Sequence, residues 1–131
     1  NRYENKRIII YPDPACRQRK TSAGGKTDLN ILQNAGLTVR VKNAHPQIRD
    51  RINAVNSRLK NTNDQRMMFI DPKCKNIIRG LERHLYKEGT TQPDKDSGFD
   101  HMNDAIGYAV DYLFPIRKNY IKELPTRWSV K

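Results

Sequence analysis

The feature that most constrains this chain is the run Ile8-Ile9-Ile10-Tyr11, closed by Pro12. β-Branched and aromatic residues suit a pleated, packed surface, and proline cannot donate to a ladder. Residues 6–12 therefore read as a buried strand. The rest of the chain must supply the elements that cover it. Residues 14–27 are a polar loop with Gly24-Gly25. Thr27 or Asp28 then caps a short helix carrying Leu29, Ile31, Leu32 and Ala35, and Gly36 suits its C-terminal stop. Leu37, Val39 and Val41 alternate with Thr38, Arg40 and Lys42, which is the period of a strand.

Pro46 fits the first turn of a second helix. Its apolar residues Ile48, Ile52, Val55 and Leu59 fall on one stripe, leaving Arg49, Arg51 and Arg58 on a basic outer surface. Residues 67–70, Met-Met-Phe-Ile, read as a third short strand. Asp71-Pro72 has the form of an N-cap followed by proline at the first helical position. The helix that follows turns Cys74, Ile77, Ile78, Leu81 and Leu85 inward. A Gly-, Pro- and Asp-rich loop leads to a last helix over 100–114, stopped by Pro115. Strands alternating with helices give an α/β fold class with parallel neighbouring strands. Three strands are few for such a core, so further strands are expected upstream of residue 1 or from another chain.

A chain of 131 residues is expected to form a single domain, here 1–131 with a basic tail from about 116. No apolar stretch approaches the roughly 20 residues that span a bilayer, which excludes a transmembrane protein; an anionic membrane surface is only the second candidate partner for the chain's positive charge, and no membrane partner is expected. Two cysteines, Cys16 and Cys74, do not make a disulfide framework, and they are expected as reduced thiols. No His lies at zinc-like spacing from either. Against 14 acidic residues stand 25 Lys and Arg, a formal charge of +11. That surplus favours a polyanionic partner, nucleic acid first.

Asp13 follows the first strand directly, at the end of a strand where α/β sheets place their ligands, and Pro12 and Pro14 fix its backbone. It also suits an Asx turn. Asp100 and Asp104 lie four apart on the last helix and share a face, where two carboxylates repel unless a cation or solvent screens them. The small residues Ala105 and Gly107 let that helix approach a strand end. Hard oxygen donors so arranged suit Mg²⁺ or Mn²⁺. Asp100 equally suits a first-turn acid, with Ser97 completing a capping box. His101 fits a supporting group or a solvent-facing residue. Neither a nucleophile elbow nor a phosphate-cradling glycine loop is present.

Four segments carry a resemblance in their order: Tyr11-Pro12-Asp13-Pro14-Ala15, Pro46-Gln47-Ile48-Arg49-Asp50-Arg51, Asp71-Pro72-Lys73-Cys74, and Asp100-His101-x-x-Asp104-Ala105-x-Gly107-Tyr108. Together, over about 8–115, they resemble the C-terminal nuclease domain of tailed-phage terminase large subunits. The resemblance implies a ribonuclease-H-like mixed sheet flanked by helices, lacking its first strands. It implies a metal-dependent endonuclease of DNA packaging, located in the bacterial cytoplasm, with two divalent ions, Mg²⁺ or Mn²⁺. Asp13 matches the acid at the end of the central strand, Asp104 the acid of the last helix and Asp100 an accessory acid. The family's first acid and its ATPase motor have no counterpart here, so the chain is expected to be a piece whose isolated activity is reduced. Arg17, Arg19, Lys20, Arg49 and Arg51 would neutralise phosphates of double-stranded DNA. Other terminase domains or subunits and the portal are the implied protein partners. A non-catalytic DNA-binding or packaging module, or another ribonuclease-H-like enzyme such as a resolvase or integrase, are the alternative readings.

Overall fold

The computed structural model describes residues 5–19, 24–90, 93–94 and 98–116. Among these, two strands and four α-helices follow in the order β1 (Ile9–Ile10), α1 (Asp28–Asn34), β2 (Thr38–Val39), α2 (Ile48–Leu59), α3 (Lys75–Arg83) and α4 (Asp100–Leu113). The fold class is mixed α/β, and β1 pairs parallel to β2 with Ile9 opposite Thr38 and Ile10 opposite Val39. The Arg40 amide continues the ladder by donating to the Ile10 carbonyl at 2.8 Å.

Local chemistry explains the ends of α1. Thr27 Oγ1 accepts the Asn30 amide at 3.1 Å, satisfying one free N–H of the first turn. At the other end Gly36 adopts a left-handed φ of 79°. Its amide donates to Gln33, and the Leu37 amide reaches back to Leu32. That is the paired closure expected of a glycine-terminated helix, and it turns the chain straight into β2.

Several expectations are corrected. Residues 67–70 form no strand: the Met67 amide donates to the Arg58 carbonyl, Met68 packs on the core, and Phe69 is 84% exposed. No neighbouring strand pairs with this segment among the described residues. Asp71 does not cap α3. It accepts the Lys73 amide and closes its own turn, so the helix starts at Lys75. That helix ends at Arg83, which leaves Cys74 and Leu85 exposed rather than inward. Likewise Pro46 precedes α2 by two residues rather than opening it.

The core sits where α2 crosses α4. Ala54, Val55 and Val110 are buried there, flanked by Leu59, Met68, Leu81 and Ile106. The sheet is tied to α4 by two contacts. The Tyr11 and Tyr112 rings meet at 5.4 Å, and Lys42 beside β2 pairs with the buried carboxylate of Asp111. These contacts hold the end of β1, and hence Asp13, against α4. No helix among the described residues is long and apolar enough to cross a membrane. Lys20, Ser97 and the basic tail beyond Ile116 lie outside the described residues.

Candidate acidic site

Asp13 lies three residues beyond β1 and caps a single turn of 3-10 helix at Pro14–Arg17. Its Oδ1 accepts the Ala15 amide at 2.8 Å, so the Asx turn anticipated from the sequence is formed. Its Oδ2 remains available and accepts the Tyr108 hydroxyl at 2.9 Å. His45 Nδ1 stands 3.4 Å from Oδ1. The carboxylate is thus oriented from three sides while its side chain stays 47% exposed. Burial, and next the hydrogen bond to Asp13, push the Tyr108 phenol above its usual value of 10.0.

Asp104 lies on α4, and its Oδ1 accepts Nη2 of Arg51 at 2.5 Å. Arg51 is the one charged residue whose position the helical stripe misassigns. It is buried, 6% exposed, on the inward face of α2 with Ala54 and Val55, not on a basic outer surface. Its Cζ lies 4.3 Å from the centroid of the Tyr108 ring. Gly107 makes room for it: a Cβ there would fall 2.7 Å from Arg51 Cγ and 2.9 Å from Cδ. The small residue on α4 serves the approach of an arginine stem on α2, rather than of a strand end.

Asp100 begins α4, where an acid complements the helix N-terminus. The residue before it, Phe99, makes no side-chain cap. Asp100 Oδ1 is buried and has no hydrogen-bond partner among the described residues. An orphaned carboxylate oxygen is costly unless something else meets it. His101 is 89% exposed, its Nδ1 3.9 Å from that oxygen, which fits the solvent-facing reading.

Asp13, Asp100 and Asp104 all line one cavity of about 320 Å³, together with His45, Arg51, His84 and Tyr108. Two separate parts of the chain thus deliver the three expected acids to one opening. Among the described residues no three His, Cys, Asp or Glu side chains converge closely enough to hold a metal ion. The three carboxylates are hard oxygen donors of the type a divalent cation takes, and Asp100 Oδ1 has no hydrogen-bond partner among the described residues. One oxygen of Asp104, however, is committed to Arg51.

A second polar link, unanticipated from residue patterns, lies beside His84. Asn103 Nδ2 donates to the Gly80 carbonyl at 2.9 Å and to His84 Nδ1 at 2.8 Å. His84 Nε2 therefore carries the proton and donates to the Asp94 carbonyl at 3.0 Å. A Cβ at Gly80 would collide with Asn103 Oδ1 at 2.8 Å. Gly80 and Gly107 were the available signals, each opposite a polar side chain of a neighbouring helix.

Of the expected phosphate contacts, Arg19 and Arg49 are exposed. Arg17 is exposed too, but it donates to the Val41 and Lys42 carbonyls and so fastens the 3-10 turn to the segment after β2. Lys20 lies outside the described residues.

Compared with protein-family models, residues 6–113 match the terminase RNaseH-like domain. No curated protein and no solved structure matches the chain significantly.

Proposed function

The chain belongs to the terminase RNaseH-like domain family, and from that premise we propose that it is the DNA-cutting module of a packaging terminase, a divalent-metal-dependent endonuclease working as a single domain. The observation that carries this reading is the shared cavity of Asp13, Asp100 and Asp104. Asp13 and Asp104 would hold the metal, with Asp100 Oδ1, which has no hydrogen-bond partner among the described residues, as accessory donor. When bound, two divalent ions supply an activated water and stabilise the leaving 3′ oxygen.

The protein's own share is orientation. The Ala15 amide and the Tyr108 hydroxyl fix both oxygens of Asp13, so it meets a cation without first reorganising. Tyr108 keeps its proton at neutral pH and so remains a donor to that carboxylate. Exposed Arg19 and Arg49 would meet the phosphates of double-stranded DNA, giving affinity without sequence selection. The remaining partners would be other terminase domains and the portal, in the cytoplasm of the bacterial host.

The test is Mn²⁺-dependent cleavage of plasmid DNA by the protein and its Asp13→Asn variant. Cleavage should fall at least a hundredfold in the variant while DNA binding persists. Cleavage unchanged by the substitution removes the site assignment. Salt-sensitive binding with neither Mn²⁺ bound at the acidic cavity nor cleavage in either protein favours the non-catalytic DNA-binding module instead.

A further inference from the structure

Arg51 is out of place for a residue that merely adds positive surface. It is 6% exposed, and burying a charge is unfavourable unless partners replace its water. Its partners are both on α4, one turn apart: the Asp104 carboxylate, and the Tyr108 ring beneath the guanidinium. Gly107 between them leaves the slot through which the stem passes. Asp104 therefore already has a cation, supplied from α2. Among the described residues the three acids share a cavity without converging, and Asp104 Oδ1 is committed to Arg51.

We propose that Arg51 is the resident counter-cation of the acidic site, occupying Asp104 in competition with the divalent ion. The inference rests on the metal-dependent reading above and deepens it. With the site empty of metal, the guanidinium offsets the repulsion between Asp104 and its neighbouring carboxylates. A divalent ion at Asp104 must share that carboxylate with Arg51 or displace it, so Arg51 lowers the affinity of the site for metal. The face-on contact with Tyr108 supplies a second anchor that keeps the guanidinium nearby after Asp104 is given up.

The experiment is Mn²⁺ binding without DNA, followed by electron paramagnetic resonance of the free ion, on the wild type, Arg51→Met and Arg51→Lys. Competition predicts tighter binding by Arg51→Met, on the order of tenfold, since a charge beside the site is lost. Arg51→Lys keeps the charge and should stay much nearer the wild type. Damage to the site would act in the opposite direction and weaken binding. Unchanged or weaker binding by a folded Arg51→Met overturns this inference alone. No binding by any of the three proteins overturns the metal-dependent reading and this inference with it. Binding by Arg51→Met but not by the wild type supports the inference.

Should Arg51→Met fail to fold, the unsubstituted protein decides the matter through the Arg51 Nε–H resonance during a Mg²⁺ titration. That signal should move as the site fills. A signal unchanged at saturating Mg²⁺, with carboxylate signals shifting, overturns the competition.

Discussion

Gly107→Ala should destabilise the protein, and the same substitution should stabilise it once Arg51 is gone. The added Cβ would lie 2.7 Å from Arg51 Cγ, 2.9 Å from Cδ and 3.3 Å from Nε. These atoms belong to the root and middle of a side chain anchored at its far end by Asp104 and Tyr108. The stem cannot swing aside without loosening both anchors. Overpacking of this kind costs about 1–3 kcal/mol. Against it stands the helix propensity of alanine over glycine, about 1 kcal/mol in a helix interior. The net expectation is a loss of about 0–2 kcal/mol. In an Arg51→Ala background the obstruction disappears and only the propensity gain of about 1 kcal/mol remains. The coupling between positions 51 and 107 should therefore be about 1–3 kcal/mol, well within the range of touching residues. Urea denaturation of the wild type, both single variants and the double variant measures it directly. A Gly107→Ala effect of equal size and sign in both backgrounds would refute the claim that this glycine exists to admit the arginine.

Three further outcomes follow from the same geometry. Tyr108 should titrate above 10.0, and Asp13→Asn should bring it down, because a neutral amide no longer favours the protonated phenol. Ultraviolet difference titration against Tyr108→Phe, without metal, reads this. By linkage, the stabilisation Tyr108 contributes is complete below 10 and lost as pH rises through its raised value. In alkylation with iodoacetamide, exposed Cys74 should react well before Cys16, whose burial raises its thiol above 9.0 and covers it. On duplex DNA, Arg49→Ala should reduce the slope of log affinity against log salt by about one, whereas Arg51→Met should leave it unchanged. Equal slopes for wild type and Arg49→Ala would remove Arg49 from the DNA-facing surface.

What could be read in the sequence was whatever depends on neighbours along the chain. Thr27 as cap and Gly36 as stop are set by local hydrogen bonding and backbone freedom, so residue type is enough to find them. The Asx turn of Asp13 was legible for the same reason: two prolines around it leave few places for its side chain. Residues 67–70 show the opposite case. Their apolar character is satisfied by Met68 alone entering the core, and a strand exists only where a second one pairs with it. Arg51 was hidden more deeply. Helical periodicity sorts residues by polarity, and it places a charged residue on the outside by construction. What draws Arg51 inward is a vacancy at Gly107 and a carboxylate at Asp104, both more than 50 positions away in sequence.

That inward arginine changes how variants of the acidic site must be read. Asp104→Asn removes a proposed metal ligand, but it also leaves a guanidinium with 7% side-chain exposure facing a neutral amide. Breaking a fully buried pair costs about 3–5 kcal/mol. Here Asp104 is 42% exposed, so solvent screens the pair and the loss should be well below that figure. It is still large enough to alter packing between α2 and α4, where the core lies. Loss of cleavage by Asp104→Asn therefore has two explanations, metal and fold. Asp13 has no such ambiguity. Its partners are a backbone amide, a phenol and an exposed imidazole, none of them a buried charge that its neutralisation would strand. Asparagine keeps an oxygen to accept the Ala15 amide or the Tyr108 hydroxyl. A folded Asp13→Asn protein that binds DNA and does not cut it thus reports on chemistry. Asp104→Asn reports on chemistry only when measured beside Arg51→Met/Asp104→Asn, where the stranded charge is gone.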